Sequence, residues 1–141
     1  MDENDGMSPQ VSRDQAAVLI VEDSANSATT MEMALMGIPG VSVLVAGSGW
    51  EALHIMHRPD STVRAIVTDL NMPHMDGFEL IRRIREDGRT AAVPIIVVSA
   101  DTDPRTPERI ANLGVSAFFP KPYSPAQVRR KLEQILNGTT Q

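Results

Sequence analysis

Short apolar runs that are rich in β-branched residues alternate along the chain with segments of helical periodicity. The runs cover residues 16–21, 41–46, 64–68, 94–98 and 117–119. In the inner runs consecutive positions are apolar, which is typical of strands in a parallel sheet that helices cover on both faces. The pattern therefore predicts an α/β fold, a doubly wound five-stranded parallel sheet built from five successive βα units with right-handed crossovers.

Capping residues and apolar spacing predict where the helices begin and which faces they bury. Ser48 followed by Glu51 is the pattern of a capping box at the start of the second helix. The fourth helix is predicted to begin late, with Thr106 as its N-cap and Pro107 as its first helical residue. The predicted buried residues are Met31, Ala34, Leu35 and Ile38 in the first helix, Phe78, Ile81 and Ile84 in the third, and Val128, Leu132, Ile135 and Leu136 in the fifth.

Length, composition and charge narrow the class of protein. The chain has 141 residues, of which 42% are apolar and 22% charged, and these values suit one globular domain. The polar, acidic start lacks the regions of a signal peptide, so we predict a disordered tail at 1–15, one domain at 16–137 and a short tail at 138–141. The absence of cysteine excludes a disulfide scaffold and thiolate metal sites. No apolar run approaches a membrane span, and the net charge of −5 argues against a nucleic-acid surface. We therefore expect a cytoplasmic protein with neither a membrane nor a nucleic-acid partner.

Polar side chains follow four of the predicted strands, at the point where each strand ends. Glu22 and Asp23 follow the first strand, Asp69 the third, Ser99 the fourth and Lys121 the fifth. The carboxyl ends of parallel strands lie at one edge of a sheet, where such folds bind ligands. Three neighbouring carboxylates need protons or a cation, and oxygen ligands without histidine or cysteine suit Mg²⁺. A hydroxyl and an ammonium beside that ion make a pocket for phosphoryl oxygens, in which a carboxylate can act as the nucleophile.

Each of these residues also has a simpler interpretation when it is taken alone. Glu22 and Asp23 are suited to capping the next helix, and Asp69 before "NMP" is suited to a turn. Ser99 alone is compatible with a structural serine and Lys121 with a solvated surface lysine. Their joint placement at four separate strand ends is what favours a common reaction site.

The segments around these residues resemble the receiver domains of two-component response regulators. "VEDS" is similar to the acidic pair of that family, "TDLNMPHMDGFEL" to its phospho-acceptor segment, "VVSA" to its hydroxyl position and "FFPKPY" to its lysine–proline segment. The resemblance covers about residues 16–137 and implies a (βα)₅ flavodoxin-like fold with strand order 2-1-3-4-5. It also implies a signalling module rather than an enzyme, one that accepts a phosphoryl group from a histidine kinase or a histidine phosphotransfer protein.

The resemblance assigns a role to each residue of the predicted site. Asp69 is implied to accept the phosphoryl group, and Ser99 and Lys121 to bind its oxygens. Phe118 is implied to move with Ser99 during switching, and the Lys121–Pro122 peptide bond to be cis. The ligands that it implies for Mg²⁺, with Mn²⁺ as an alternative ion, are Glu22, Asp23, Asp69 and the backbone carbonyl of Asn71.

The sequence departs from the family's pattern around the predicted switch. The hydroxyl residue is Ser99 rather than the commoner threonine, and Phe118 replaces the commoner tyrosine, so the aromatic has no hydroxyl to hydrogen-bond. Pro104 and Pro107 lie close to the start of the fourth helix, and a proline disfavours the helical region for the residue before it. We therefore expect a long, stiff segment between the fourth strand and the fourth helix, with restricted movement of that helix.

Two other functions are compatible with this topology. An aspartate-nucleophile phosphatase needs a second aspartate two residues after the nucleophile as its general acid, and that position is Asn71. A flavin carrier needs a phosphate loop after the first strand and aromatic residues around the ring. Here "EDSANS" opens with carboxylates that repel phosphate, and aromatic residues make up only 4% of the chain. Both alternatives are therefore less suited to the sequence than a receiver.

A partner surface is predicted on the first helix. At about 100° per residue, Asn26, Met33 and Met36 lie opposite its buried side, with Tyr123 beside the same rim. Methionine suits adaptable interfaces, although single exposed apolar residues are also common on ordinary surfaces. No effector domain is expected after residue 137. Docking to an unknown protein target, relay of the phosphoryl group, and membership of a longer chain all remain open, as do a monomer and a phosphorylation-dependent dimer.

Overall fold

The computed structural model describes residues 16–138 of the chain. The predicted tail at 1–15, and the tail at 138–141 beyond its first residue, lie outside the described residues, so the domain boundaries stay predictions. The strands are β1 (Ala16–Val21), β2 (Val41–Ala46), β3 (Val63–Asp69), β4 (Ile95–Ser99) and β5 (Ala117–Pro120). The helices are α1 (Ala25–Leu35), α2 (Gly49–Met56), α3 (Gly77–Glu86), α4 (Thr106–Ala111) and α5 (Pro125–Leu136).

The five strands form one parallel sheet in the order β2-β1-β3-β4-β5, which confirms the predicted fold. The three inner strands are buried at nearly every position, whereas the edge strand β2 exposes Leu44 and Val45. This difference follows from topology, because an edge strand has a neighbour on one side only. Within residues 16–138, no helix combines the length and the apolarity that crossing a membrane requires.

Two apolar layers cover the two faces of the sheet. On one face α1 and α5 contribute Met31, Leu35, Val128 and Leu132. On the other face α2, α3 and α4 contribute the buried side chains Leu53, Met56, Leu80, Ile81, Ile84 and Ile110. The predicted buried faces are therefore largely confirmed, with Ala34, Phe78, Ile135 and Leu136 only half-buried.

The capping prediction for the second helix is confirmed, with one difference in detail. The Ser48 hydroxyl accepts a hydrogen bond from the Glu51 backbone N–H at 3.1 Å. The Glu51 carboxylate reaches back to the backbone N–H of Gly47 at 2.8 Å, rather than to that of Ser48. At α1 the cap is Ser24, whose hydroxyl accepts from the Ser27 N–H at 3.3 Å. Glu22 and Asp23 therefore do not cap this helix.

The predicted start of the fourth helix is wrong by one residue. Thr106 is the first residue of α4 rather than its N-cap, and Arg105 occupies the cap position with helical dihedral angles and no side-chain cap bond. The reason lies in Asp103, whose carboxylate accepts from the Arg105 N–H at 2.9 Å and bonds its guanidinium at 2.9 Å. These bonds hold the pKa of Asp103 down at about 2. The turn that they form brings the chain into helical geometry one residue early.

Gly77 lets α3 pack directly on the end of β3. A Cβ atom at this position would collide with the backbone carbonyl oxygen of Asp69 and would lie 2.7 Å from Cα of Leu70. The Gly77 N–H donates to the Leu70 carbonyl at 2.8 Å, so the start of the helix is tied to the residue after Asp69. A side chain here would displace the backbone that carries Asp69.

Candidate functional site

The register of the sheet brings the predicted site residues to one edge. Val21 is paired with Thr68, and Ser99 with Pro120, so the residues that follow β1 and β5 lie level with the ends of β3 and β4. Glu22 and Asp69 are each less than one-tenth exposed, Ser99 is fully buried, and Asp23 is exposed at the rim. The edge therefore holds a pocket with polar walls at the carboxyl ends of the strands, where doubly wound sheets bind ligands.

Three carboxylates share this pocket. Glu22, Asp23 and Asp69 each offer an oxygen atom, and these three atoms lie within 4.8 Å of one another. The Glu22 carboxylate is also fixed by the backbone, because its Oε2 atom accepts a hydrogen bond from the Ser24 N–H at 3.2 Å. Since like charges at this distance repel one another, the group needs a cation close by.

Lys121 supplies one such cation. Its Nζ atom lies 2.9 Å from Oδ2 of Asp69 and 3.2 Å from Oε1 of Glu22. Burial by itself lowers the pKa of Lys121, but the hydrogen bonds and charges of Asp69 and Glu22 outweigh burial and raise that pKa above 10.5. Lys121 therefore stays protonated at neutral pH, and its pairing with the carboxylates is lost only as the pH rises through this raised pKa.

The second oxygen of Asp69 is held by the backbone. Oδ1 accepts from the N–H of Leu70 at 2.7 Å and from that of Asn71 at 3.2 Å. The carboxylate is thus fixed at both oxygen atoms, by an ammonium on one side and by the turn on the other. This turn contains the "NMP" segment, and it orients Asp69 rather than exposing it to solvent.

Ser99 lies between Asn71 and the segment that leads to α4. Its hydroxyl oxygen is 3.4 Å from Nδ2 of Asn71 and accepts from the Asp101 N–H at 3.0 Å. Asp101 in turn accepts from the Asp103 N–H at 2.8 Å. A displacement of the Ser99 hydroxyl would therefore be passed to the backbone of residues 101–103.

The donor set of the pocket fits a hard divalent cation. It offers carboxylate oxygens without histidine or cysteine, which is the ligand type of Mg²⁺. Glu22 and Asp69 already contact Lys121, whereas Asp23 lies outside that pair and faces the rim. Asp23 is accordingly the carboxylate most free to bind an ion from solvent.

The predicted partner residues do not all meet in one place. Asn26 and Tyr123 line an open groove of about 300 Å³ between the start of α1 and the segment that follows β5. Met33 and Met36 are 70% and 62% exposed, as the helical spacing predicts, but neither lines the groove. The other residues that line it are Ser27, Thr30, Lys121, Pro122 and Pro125.

Two further features concern the predicted switch. Phe118 is half-buried and packs against the apolar layer beneath α2, α3 and α4. The Lys121–Pro122 peptide bond is cis, as the resemblance implied.

Some residues that shape the site were not predicted. Asp101 was not singled out, because a backbone N–H bond to Ser99 leaves no mark in the sequence. The close packing of Gly77 on Asp69 was also missed, although a glycine eight residues after a strand-end aspartate is a usable signal of close backbone approach.

Comparison with known proteins agrees with this geometry. Residues 18–133 match the response regulator receiver domain family. The chemotaxis protein CheY homolog of Campylobacter jejuni is 29% identical over 84% of this chain and 91% of its own length. A two-component response regulator of Oryza sativa is 30% identical over 84% of this chain and 89% of its own length. The crystal structure of a response regulator receiver protein from Pseudomonas putida has a TM-score of 0.78 and 32% identity, covering 85% of this chain and 97% of that one. A chain with this fold, this acidic pocket and these relatives belongs to the response regulator receiver domain family.

Proposed function

We propose that this receiver domain accepts a phosphoryl group from a phosphohistidine onto Asp69, in a reaction that depends on Mg²⁺, and that it thereby switches a surface that binds another protein. The observation that carries the proposal is the pairing of Asp69 with Lys121 at 2.9 Å inside a cluster of three carboxylates. Support comes from the surroundings of Asp69, which is buried and whose two oxygens are oriented by an ammonium and by backbone N–H groups, as suits a carboxylate nucleophile.

The transfer forms one bond and breaks one. An oxygen of the Asp69 carboxylate attacks phosphorus as the phosphorus–nitrogen bond of the phosphohistidine breaks, and the imidazole that leaves takes up a proton. The Lys121 ammonium and the Ser99 hydroxyl then bind oxygens of the aspartyl phosphate. The protein contributes position and charge rather than a covalent partner beyond Asp69.

The residues proposed to hold Mg²⁺ are Asp23, Asp69, Glu22 and the backbone carbonyl of Asn71. When it is bound, the ion neutralises the charge that the phosphoryl group adds to the three carboxylates. Asp23 faces the rim and is proposed as a direct ligand. Glu22 is already bonded to Ser24 and Lys121, so we propose that it acts partly through water.

Asn71 favours this function over a phosphatase. The residue two positions after the proposed nucleophile is Asn71. Its amide cannot donate or take up a proton, so it cannot serve as the general acid and base that such a phosphatase needs. Its Nδ2 atom is instead directed toward Ser99 at 3.4 Å. The proposed chemistry is therefore limited to gain of the phosphoryl group and its loss to water.

The proposed switch couples the phosphoryl group to the surface through Ser99 and Phe118. When Ser99 turns toward a phosphoryl oxygen, the bond from the Asp101 N–H is disturbed and the segment before α4 is drawn inward. Phe118 then has room to move within the apolar layer against which it packs. Two outputs are compatible with this switch: binding of the changed surface by a downstream protein, and relay of the phosphoryl group to a histidine phosphotransfer protein.

The proposed function is tested by incubating the protein with acetyl phosphate and Mg²⁺. Intact-mass measurement should show one added phosphate, which base removes because an acyl phosphate is labile. The same incubation with a chelator in place of Mg²⁺ should give no added mass. Phosphate that appears without the ion, or that survives base, would contradict an aspartyl phosphate formed with Mg²⁺.

We propose that the phosphohistidine protein docks on α1 and on the groove beside it. Met33 lies one turn beyond Thr30, which lines the groove, so an apolar contact there extends the surface formed by Asn26 and Tyr123. The double change Met33→Glu, Met36→Glu should slow transfer from a phosphohistidine protein that phosphorylates the parent at least roughly tenfold, or about 1.4 kcal/mol. Rapid-quench measurement of the transfer rate checks this result.

Two controls separate docking from chemistry. Labelling of the double variant by acetyl phosphate should equal that of the parent, because the acidic pocket is unchanged. Trp50→Glu alters an exposed apolar residue on α2 and should leave the transfer rate as it is. Equal transfer by the double variant and the parent would mean that the two methionines are ordinary surface.

A further inference from the structure

Thr106, the first residue of α4, buries a hydroxyl group that has no hydrogen-bond partner within residues 16–138. The residue is 1% exposed. Among the buried side-chain nitrogen and oxygen atoms of residues 16–138, its Oγ1 atom is the one without a partner. A buried hydroxyl that makes no hydrogen bond destabilises the conformation that contains it.

The other buried threonines show what a paired hydroxyl looks like in this fold. Thr90 donates to the Ile84 carbonyl at 2.7 Å, and Thr68 donates to the Asp69 carbonyl at 2.8 Å. Thr90 is similarly buried, but it lies in the segment after α3. Of the three buried threonines, the one with an unpaired hydroxyl is therefore the one at the start of α4.

The start of α4 is connected to the pocket of three carboxylates by the short segment that follows β4. Ser99 ends β4, and the Asp101 N–H bonds its hydroxyl. Asp103 follows, and its carbonyl accepts from the Thr106 N–H at 3.0 Å. A change at the Ser99 hydroxyl therefore reaches Thr106 through a chain of local bonds.

The face of α4 that carries Thr106 also contributes to the apolar layer against which the predicted switch residue packs. Thr106 and Ile110 are one turn apart on the same side of the helix, and both are 1% exposed. Ile110 belongs to the apolar layer against which Phe118 packs. The unpaired hydroxyl therefore lies on the same side of α4 as a residue of the layer in which Phe118 is proposed to move.

We propose that the unpaired hydroxyl of Thr106 destabilises the present position of α4, and that it thereby offsets part of the restriction expected from Pro104 and Pro107 and lowers the free energy needed to move this helix when Asp69 is phosphorylated. In the displaced position the hydroxyl reaches a carbonyl or water, and the penalty disappears. The inference rests on the proposed function for the displacing event, but the penalty itself is a property of the unphosphorylated protein. The present and the displaced position of α4 are in equilibrium. A change that stabilises only the present position therefore makes the displaced position less populated.

The change that tests this is Thr106→Val, which replaces the hydroxyl by a methyl group of nearly the same shape. In the unphosphorylated protein it should raise the urea midpoint of unfolding, since it removes an unpaired polar group without leaving a cavity. With Mg²⁺ present, it should weaken the binding of beryllofluoride at least about fivefold, because the displaced state loses its advantage. The fluorine atoms of this probe stand in for phosphoryl oxygens.

Thr90→Val is the matched control, since it removes a hydroxyl that is paired. It should lower the urea midpoint and leave the affinity for beryllofluoride unchanged. A Thr106→Val protein that is less stable than the parent, that fails to fold, or that binds beryllofluoride with parental affinity would overturn the proposal. If the parent takes no phosphate from acetyl phosphate, the proposed function fails, whereas the stability comparison of the two variants still decides whether the Thr106 hydroxyl carries a penalty.

Discussion

The Asp69→Asn protein should carry no phosphate after incubation with acetyl phosphate and Mg²⁺. The amide keeps the shape of the side chain, but its oxygen is a poor nucleophile and it carries no charge to pair with Lys121. We expect the labelling rate to fall at least roughly a hundredfold, or about 2.7 kcal/mol, by intact-mass measurement. Glu22 is also buried and also bonded by Lys121 and by a backbone N–H, but its contact with the ammonium is longer, at 3.2 Å rather than 2.9 Å, and Asp69 alone of the three carboxylates accepts two backbone N–H groups.

The matched control is Asp60→Asn, which makes the same change of charge at an exposed aspartate outside the three-carboxylate cluster. It should be labelled like the parent. Undiminished labelling of the Asp69→Asn protein would refute Asp69 as the acceptor. Peptide mapping of the labelled protein would then identify the residue that takes the phosphate.

Asp23→Ala should remove most of the affinity for Mg²⁺. Asp23 is the exposed member of the cluster and does not share the Lys121 ammonium with Glu22 and Asp69. Loss of a residue that merely orients a metal ligand typically weakens binding 10- to 100-fold, so loss of a direct ligand should weaken it roughly a hundredfold or more. Calorimetric titration with Mg²⁺ measures this directly and does not depend on phosphorylation.

The same variant has a second expected property. Without Mg²⁺ its free energy of unfolding should be no lower than that of the parent, since the change removes one of three charges that repel one another. Asp60→Ala provides the comparison for loss of a carboxylate elsewhere, and it should bind the ion with parental affinity. An Asp23→Ala protein that binds Mg²⁺ as tightly as the parent would exclude Asp23 as a ligand.

The sheet could be predicted from the sequence because its signal is local. Each inner strand contains a run of buried residues rich in β-branched types, and each run ends at or just before a polar residue that the parallel topology brings to the common edge. The exposure of Met33 and Met36 could also be predicted, since it depends only on the angular spacing of one helix. In both cases the periodicity of a single element is sufficient.

The features that could not be predicted depend on contacts that neither residue type nor spacing along one element specifies. The start of α4 shifted because the Asp103 carboxylate binds Arg105, and a cap predicted from residue type alone takes no account of a competing turn. The groove between α1 and the segment after β5 depends on how the helix lies against that segment. Spacing along α1 could therefore place Asn26 and Met33 on one side of the helix without indicating that only Asn26 borders the groove.

The separation of Lys121 from its partners along the chain has a consequence for synthesis. Lys121 is 99 residues from Glu22 and 52 residues from Asp69. A growing or partly folded chain therefore already contains Asp69 and Glu22, but it lacks the ammonium that contacts both of them until the fifth strand has been made and added to the edge of the sheet. Because a contact between residues so far apart along the chain forms only when the sheet is nearly complete, we expect the proposed phosphorylation of Asp69 to require the assembled fifth strand.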